Sequence, residues 1–126
     1  MGKPCRLLAL VALLPLAATA APDRAEDRLR TFATCAGRLS AQVEHHWLLS
    51  EPSADTEAHR ETTLDILELV TPTDRETEAL ALRIEAKASF AALLSRAAFG
   101  ADPADRSWAA TRAERLLAPC TGLLLF

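Results

Sequence analysis

Apolar residues at Ala25, Leu29, Phe32, Ala36, Leu39 and Val43 recur at alternating intervals of four and three, and Trp47 continues the series by four. That spacing is the stripe of an amphipathic helix. Asp23 followed by Glu26 resembles a capping box, so the first helix is expected to start near Asp23. Gly37 sits inside it at a cost of about 1 kcal/mol relative to alanine. A closely packed neighbouring helix would explain its presence. Ser50-Glu51-Pro52-Ser53 ends the segment. A second helix is expected from Ser53 or Asp55 to about Val70, with Leu64, Leu67 and Val70 on its apolar face and Ile66 and Leu69 beside them. Thr71-Pro72 stops it, because proline disfavours helical geometry in the residue before it.

The third helix is expected to open on a Thr73-x-x-Glu76 capping box and to run to about Phe99, with Gly100 closing it in a left-handed conformation. It carries two apolar stripes. One is Leu80, Ile84, Ala88, Ala91, Leu94 and Ala98; the other is Leu82, Ala86, Phe90, Leu93 and Ala97. A helix apolar on so much of its circumference is either central or touches a second chain, and central packing is the simpler expectation. The fourth helix opens on Asp102-Pro103, a cap followed by proline at the first helical position. Trp108, Ala109, Arg112, Leu116 and Leu117 follow, and Pro119 is expected to end or kink it. No segment alternates apolar and polar residues long enough to read as a strand. The expected fold is all-α: an up-down four-helix bundle, long-short-long-short, whose short loops make sequential neighbours antiparallel. Alanine and leucine with arginine and glutamate support it.

Ahead of these elements lies a different pattern. Met1 to Arg6 carries two cations, Leu7 to Leu16 is an apolar run, and Ala18-Thr19-Ala20 supplies small residues at the −3 and −1 positions. This is the layout of a secretory signal peptide. Residues 1–20 are therefore read as a leader and residues 21–126 as a single helical domain. The run is too short to span a bilayer core of about 30 Å. The protein is expected to be periplasmic or secreted, with no stable membrane span once the leader is removed.

Export changes the meaning of the cysteines. Cys5 leaves with the leader, and Cys35 and Cys120 remain. An even count in an oxidising compartment favours a disulfide. In an up-down bundle the end of the fourth helix lies near the first half of the first helix, so a Cys35–Cys120 bridge fits. It closes a loop of about 85 residues, for which the chain-entropy model gives an upper figure of about 4.5 kcal/mol. No Cys-x-x-Cys motif points to a redox pair or to covalent haem.

Charge and candidate chemistry narrow the function by exclusion. The formal charge is −3, and losing Lys3 and Arg6 with the leader takes it to −5. Arginines and acids are interspersed and form no basic patch, which argues against nucleic acid as a partner. The most suggestive polar cluster is Glu44-His45-His46. Adjacent histidines point about 100° apart on a helix, but a hairpin centred near Pro52 would bring His59 opposite His45. Glu44, His45, His46 and His59 are thus the candidate ligands for a weakly held transition metal, against the alternative of a solvated histidine cluster. No Gly-x-Ser-x-Gly, Walker-type or dinucleotide motif occurs, and a paired Cys35 and Cys120 leave no thiol nucleophile. An enzyme is not expected, and no cofactor is implied. The tail ending in Leu125-Phe126 either folds back over the bundle or offers an apolar end to a partner.

The run Cys35-Ala36-Gly37-Arg38-Leu39-Ser40-Ala41, with Glu44-His45 and Trp47-Leu48 after it, resembles small exported helical proteins of Gram-negative bacteria. In these a Cys-x-Gly-Arg-x-Ser-Ala stretch precedes a helical body, and a second cysteine lies near the C-terminus. The resemblance implies export and a helical, disulfide-tied fold, and no activity. Read from the residues alone, Arg38 is a surface charge and Ser40 a small packing residue. The leading expectation is a periplasmic helical bundle that acts by binding, as a homodimer or an accessory to another envelope protein. The alternative is a metal-binding protein.

Overall fold

The computed structural model describes residues 20–122 together with Gly2 and Pro4, and side chains within the helices from Arg24 onward. The expected leader, apart from Gly2, Pro4 and Ala20, and the tail residues Leu125 and Phe126 lie outside the described residues. Four helices follow one another: α1 (Ala20–Leu48), α2 (Ala54–Val70), α3 (Glu76–Phe99) and α4 (Pro103–Gly122). A 3-10 turn, Thr73–Arg75, leads into α3, and no strand occurs among the described residues. This is the expected all-α bundle of alternating long and short helices.

Its packing is not that of a symmetric square. In an up-down bundle α1 and α3 run parallel and usually sit diagonally across the core. Here they make the most extensive contact in the molecule. Leu29, Ala33 and Ala36 pack with Ala79 at one end, and Ala41 packs with Phe90 and Leu94 at the other. Between these clusters lies Gly37. A Cβ there would collide with the carbonyl oxygen of Arg83 and come within 2.9 Å of the Lys87 nitrogen and the Ala86 Cβ. Small residues on α1 thus let two backbones approach where side chains normally intervene. α2 then flanks α1, with Leu67 joining the first cluster, while α4 packs chiefly on α3 through Ala113.

The Cys35–Cys120 disulfide fastens the end of α4 back to α1, with a Cα–Cα distance of 5.2 Å. Both cysteines are buried beside Leu39, against Leu117. Arg38 adds a second tie: its Nη1–H donates to the Leu116 carbonyl at 2.8 Å. It is a tertiary clasp, not the free surface charge its sequence context suggests. Ser40 donates its hydroxyl to the Ala36 carbonyl within the same helix.

The helix ends depart from expectation in five places, each for a local reason. α1 begins at Ala20, so Asp23 lies inside the helix, and Glu26 pairs with Arg30 instead of capping. The Thr73–Glu76 capping box does not form. Thr73 is taken up in the 3-10 turn, no side chain caps α3, and Arg75 grips Glu78 with its Nε and Nη2 at 2.9 and 2.8 Å. Gly100 is extended, at φ −58 and ψ 143, and donates its N–H to the Arg96 carbonyl. Glycine is needed there because a Cβ would press on that same carbonyl at 2.6 Å. Pro119 does not end the helix, and α4 continues to Gly122. Proline removes one donor from that last turn, yet the turn is held from outside by the disulfide and by Arg38. Trp47 does not continue the core stripe; it is 55% exposed.

The left-handed residue falls at the end of α1, not α3. Ser50 has φ 56. Ser50 N–H donates to the Trp47 carbonyl and Glu51 N–H to the His46 carbonyl, the paired bonds of a Schellman motif.

Two substitutions test this account by denaturant unfolding. Gly37→Ala should gain about 1 kcal/mol of helix propensity but lose more to backbone overlap, for a net loss of about 1–2 kcal/mol. Ser50→Gly should raise stability by about 0.5–1 kcal/mol, because a side chain no longer occupies the left-handed region.

Candidate functional site

Of the expected metal ligands, Glu44, His45 and His46 are carried apart by their own helix, and His59 lies on α2. Successive residues on α1 point about 100° from one another, so each meets a different neighbour. Glu44 turns to α3, where the Lys87 ammonium sits 2.5 Å from its carboxylate. His45 lines a groove with Leu49, Leu94 and Leu117, between α1, α3 and α4. His46 faces the α1–α2 loop: its Nε2 accepts from the Gln42 amide at 2.7 Å and lies 4.0 Å from the Glu51 carboxylate. Its Nδ1 is buried and has no partner among the described residues. His59 sits on α2, and its carbonyl accepts the hydroxyl of the fully buried Thr63. No group of three or more histidine, cysteine, aspartate or glutamate side chains able to hold an ion occurs among the described residues.

The strongest polar geometry lies at the two hairpins, and it is structural. At the α1–α2 turn, Trp47 Nε1–H is 3.1 Å from both Ser53 Oγ and Glu57 Oε1, and Ser53 donates to the same carboxylate oxygen at 2.5 Å. These bonds hold the Glu57 carboxyl below the usual carboxylate range, Ser53 contributing most and Trp47 next. At the α3–α4 turn, Arg96 pairs with Asp105 and lies over the Trp108 ring, 5.1 Å from its centroid. The Arg96 hydrogen bond lowers the Asp105 carboxyl likewise. Asp102 caps α4 as expected, accepting from the Asp105 N–H at 3.0 Å. Each tryptophan braces a turn, and both turns lie at the same end of the bundle because α1 and α3 run parallel.

The surface that stands out is the outward side of α3. The second stripe, with Phe90 at 2% exposure, packs into the molecule, but most of the first does not: Leu80 is 52% and Ile84 60% exposed, and Ala88, Ala91 and Ala98 are exposed as well. Only Leu94 of that stripe is buried. The expectation that central packing covers both stripes is therefore corrected. Ser95 and Phe99 extend the exposed strip to the helix end. The helix's charged residues are engaged or directed elsewhere. Lys87 pairs with Glu44, Arg96 with Asp105 and Glu78 with Arg75. Glu76 and Arg83 line the gap beside α2, and Glu85 lines the pocket on the opposite flank. A solvated helix face ordinarily carries charge; this one presents none along about five turns. Periodicity had located the residues but not which stripe faced inward.

No helix among the described residues is long and apolar enough to cross a membrane. Comparison with protein-family models, with curated proteins and with solved structures returns no match for this chain.

Glu57 and Asp105 make stability depend on acid in a definite direction. Their folded-state pKa values lie below the unfolded ones, so their contribution is full above the ordinary carboxylate range, about pH 4. It is lost as pH falls through the lowered folded values. In chemical unfolding measured from about pH 6 down to about pH 2, the stability gap between the natural chain and the Glu57→Gln, Asp105→Asn double variant should close toward the acid end.

Proposed function

We propose that the protein is an exported, disulfide-tied binding module that receives an apolar helix of another polypeptide along the outward face of α3. The observation that carries this reading is the charge-free strip from Leu80 to Phe99, exposed on a helix whose charges are directed elsewhere. Large exposed apolar patches on soluble domains are characteristic of interaction sites. Alanines along a ridge allow another helix to approach closely, and Leu80, Ile84 and Phe99 supply larger contacts near the two ends. The Cys35–Cys120 disulfide supports an oxidising compartment, where such bonds persist. An accessory role beside another cell-envelope protein follows from that address and from the absence of any catalytic motif in the sequence.

The test places a charge in the strip without touching the core. Ala88 is exposed, so Ala88→Glu should keep stability within about 0.5 kcal/mol of the natural chain. A photo-crosslinking residue at Ala91 in the full, exported chain should capture a polypeptide from envelope extract, and Ala88→Glu should abolish the capture. A crosslink to a second copy, with a dimer in sedimentation, would make the occupant this chain itself. Crosslinking unchanged by Ala88→Glu overturns the reading.

A further inference from the structure

On the other flank of α3, away from that strip, a pocket of about 340 Å³ opens where α1, α3 and α4 meet. We propose that it binds an amphipathic monocarboxylate, with the carboxylate on Arg38 and a short apolar tail against Phe90, Leu82 and Leu116. This inference does not rest on the α3-face reading. The volume is at the lower end of the range for small-molecule sites, about 300–1,000 Å³.

The α1 wall of the pocket is Arg30, Thr34 and Arg38, one helical turn apart and so in one line. Ser89 joins the lining from α3. Thr34 and Ser89 add two hydroxyls to the lining. Arg38 is half-buried, and no carboxylate lies within ion-pair distance of it among the described residues. One of its N–H groups is spent on the Leu116 carbonyl. Burial first, and the like charge of Arg112 second, disfavour its charged form. A guanidinium cannot neutralise itself by losing a proton. A half-buried, unpaired one beside a like charge is an unfavourable state, which an anion relieves. The planar fork suits a carboxylate in particular.

Charge decides the valence of the ligand. Arg30 is already paired with Glu26 at 3.3 Å, and Glu85 lines the same pocket. The lining arginines thus exceed the lining carboxylate by no more than one positive charge, and the Arg30–Glu26 pair reduces that further, so a monoanion suits the pocket better than a phosphate dianion. The floor decides the rest: Phe90, Leu82, Ala86 and Leu116 offer no polar side chain and leave room for a hydrocarbon tail.

Calorimetric titration of the full chain with octanoate tests this. Octanoate should saturate with a Kd of about 1 mM or tighter, while acetate, which lacks the tail, and inorganic phosphate should bind at least about tenfold more weakly. Arg38→Gln should weaken octanoate about tenfold or more. Because Arg38 also clasps α4, two variants that leave that clasp alone carry the decision. Thr34→Val should weaken binding about threefold. Glu85→Gln should tighten it about threefold, a gain that a purely structural residue would not produce. Failure of octanoate to saturate by about 10 mM, phosphate binding as tightly as octanoate, or a Kd unmoved by Glu85→Gln overturns the proposal.

Discussion

The close approach of α1 and α3 at Gly37 is the constraint on which the rest of the architecture depends. Two parallel helices lie against each other because one position lacks a Cβ and its neighbours are small: Ala33, Ala36 and Ala41 on one side, Ala79 and Ala86 on the other. A leucine or valine at Gly37 would force the pair apart. The gain is tight packing of main-chain and short side-chain atoms, each contact small and their sum large. The consequence is an arrangement in which α2 packs on α1 and α4 on α3, with no substantial contact between α2 and α4.

Such a body would be weakly closed without its two cross-ties. The contact between α1 and α4 is slight, yet the α4 end must stay in place to shelter Leu39, Cys35 and Cys120. The disulfide and the Arg38–Leu116 hydrogen bond both act there, three residues apart on α1 and four apart on α4. That arrangement also explains why Pro119 is tolerated in a helical turn that would otherwise fray. At the opposite end the two hairpins are fixed by tryptophan–carboxylate or tryptophan–arginine contacts, so each antiparallel pair is held at its turn and the whole at its seam.

Helix existence and order were legible in the sequence because periodicity, Pro52, Pro72 and the Asp102-Pro103 start act locally, and local rules report on them directly. The disulfide was legible because an even cysteine count meets an antiparallel topology. The capping boxes are not legible because they depend on more than spacing: α1 starts ahead of Asp23 and Glu26 pairs with Arg30, while Thr73 is taken up in a 3-10 turn before α3. Trp47 was assigned to the core by its spacing, but the spacing cannot know that α2 begins beside it and that Ser53 and Glu57 take its indole N–H. The pocket at Arg38 is not legible in the sequence for a similar reason: it needs residues from three helices, and only the packing of α1 on α3 brings Thr34, Arg38 and Ser89 into the lining of one pocket.

The exposed strip on α3 is best understood as a product of the same geometry. A helix with two apolar stripes can bury both only if it has neighbours on both sides. Because α1 occupies one side so closely, and α4 the adjacent one, the strip around Ile84 and Ala88 has no element of this chain left to cover it among the described residues. Replacing those alanines by lysine or glutamate would cost nothing in the fold, since they bury nothing here. That the face nonetheless carries no charge is a departure from what the fold alone requires. Such departures, where local rules are broken without a structural gain, are where function is expected to reside.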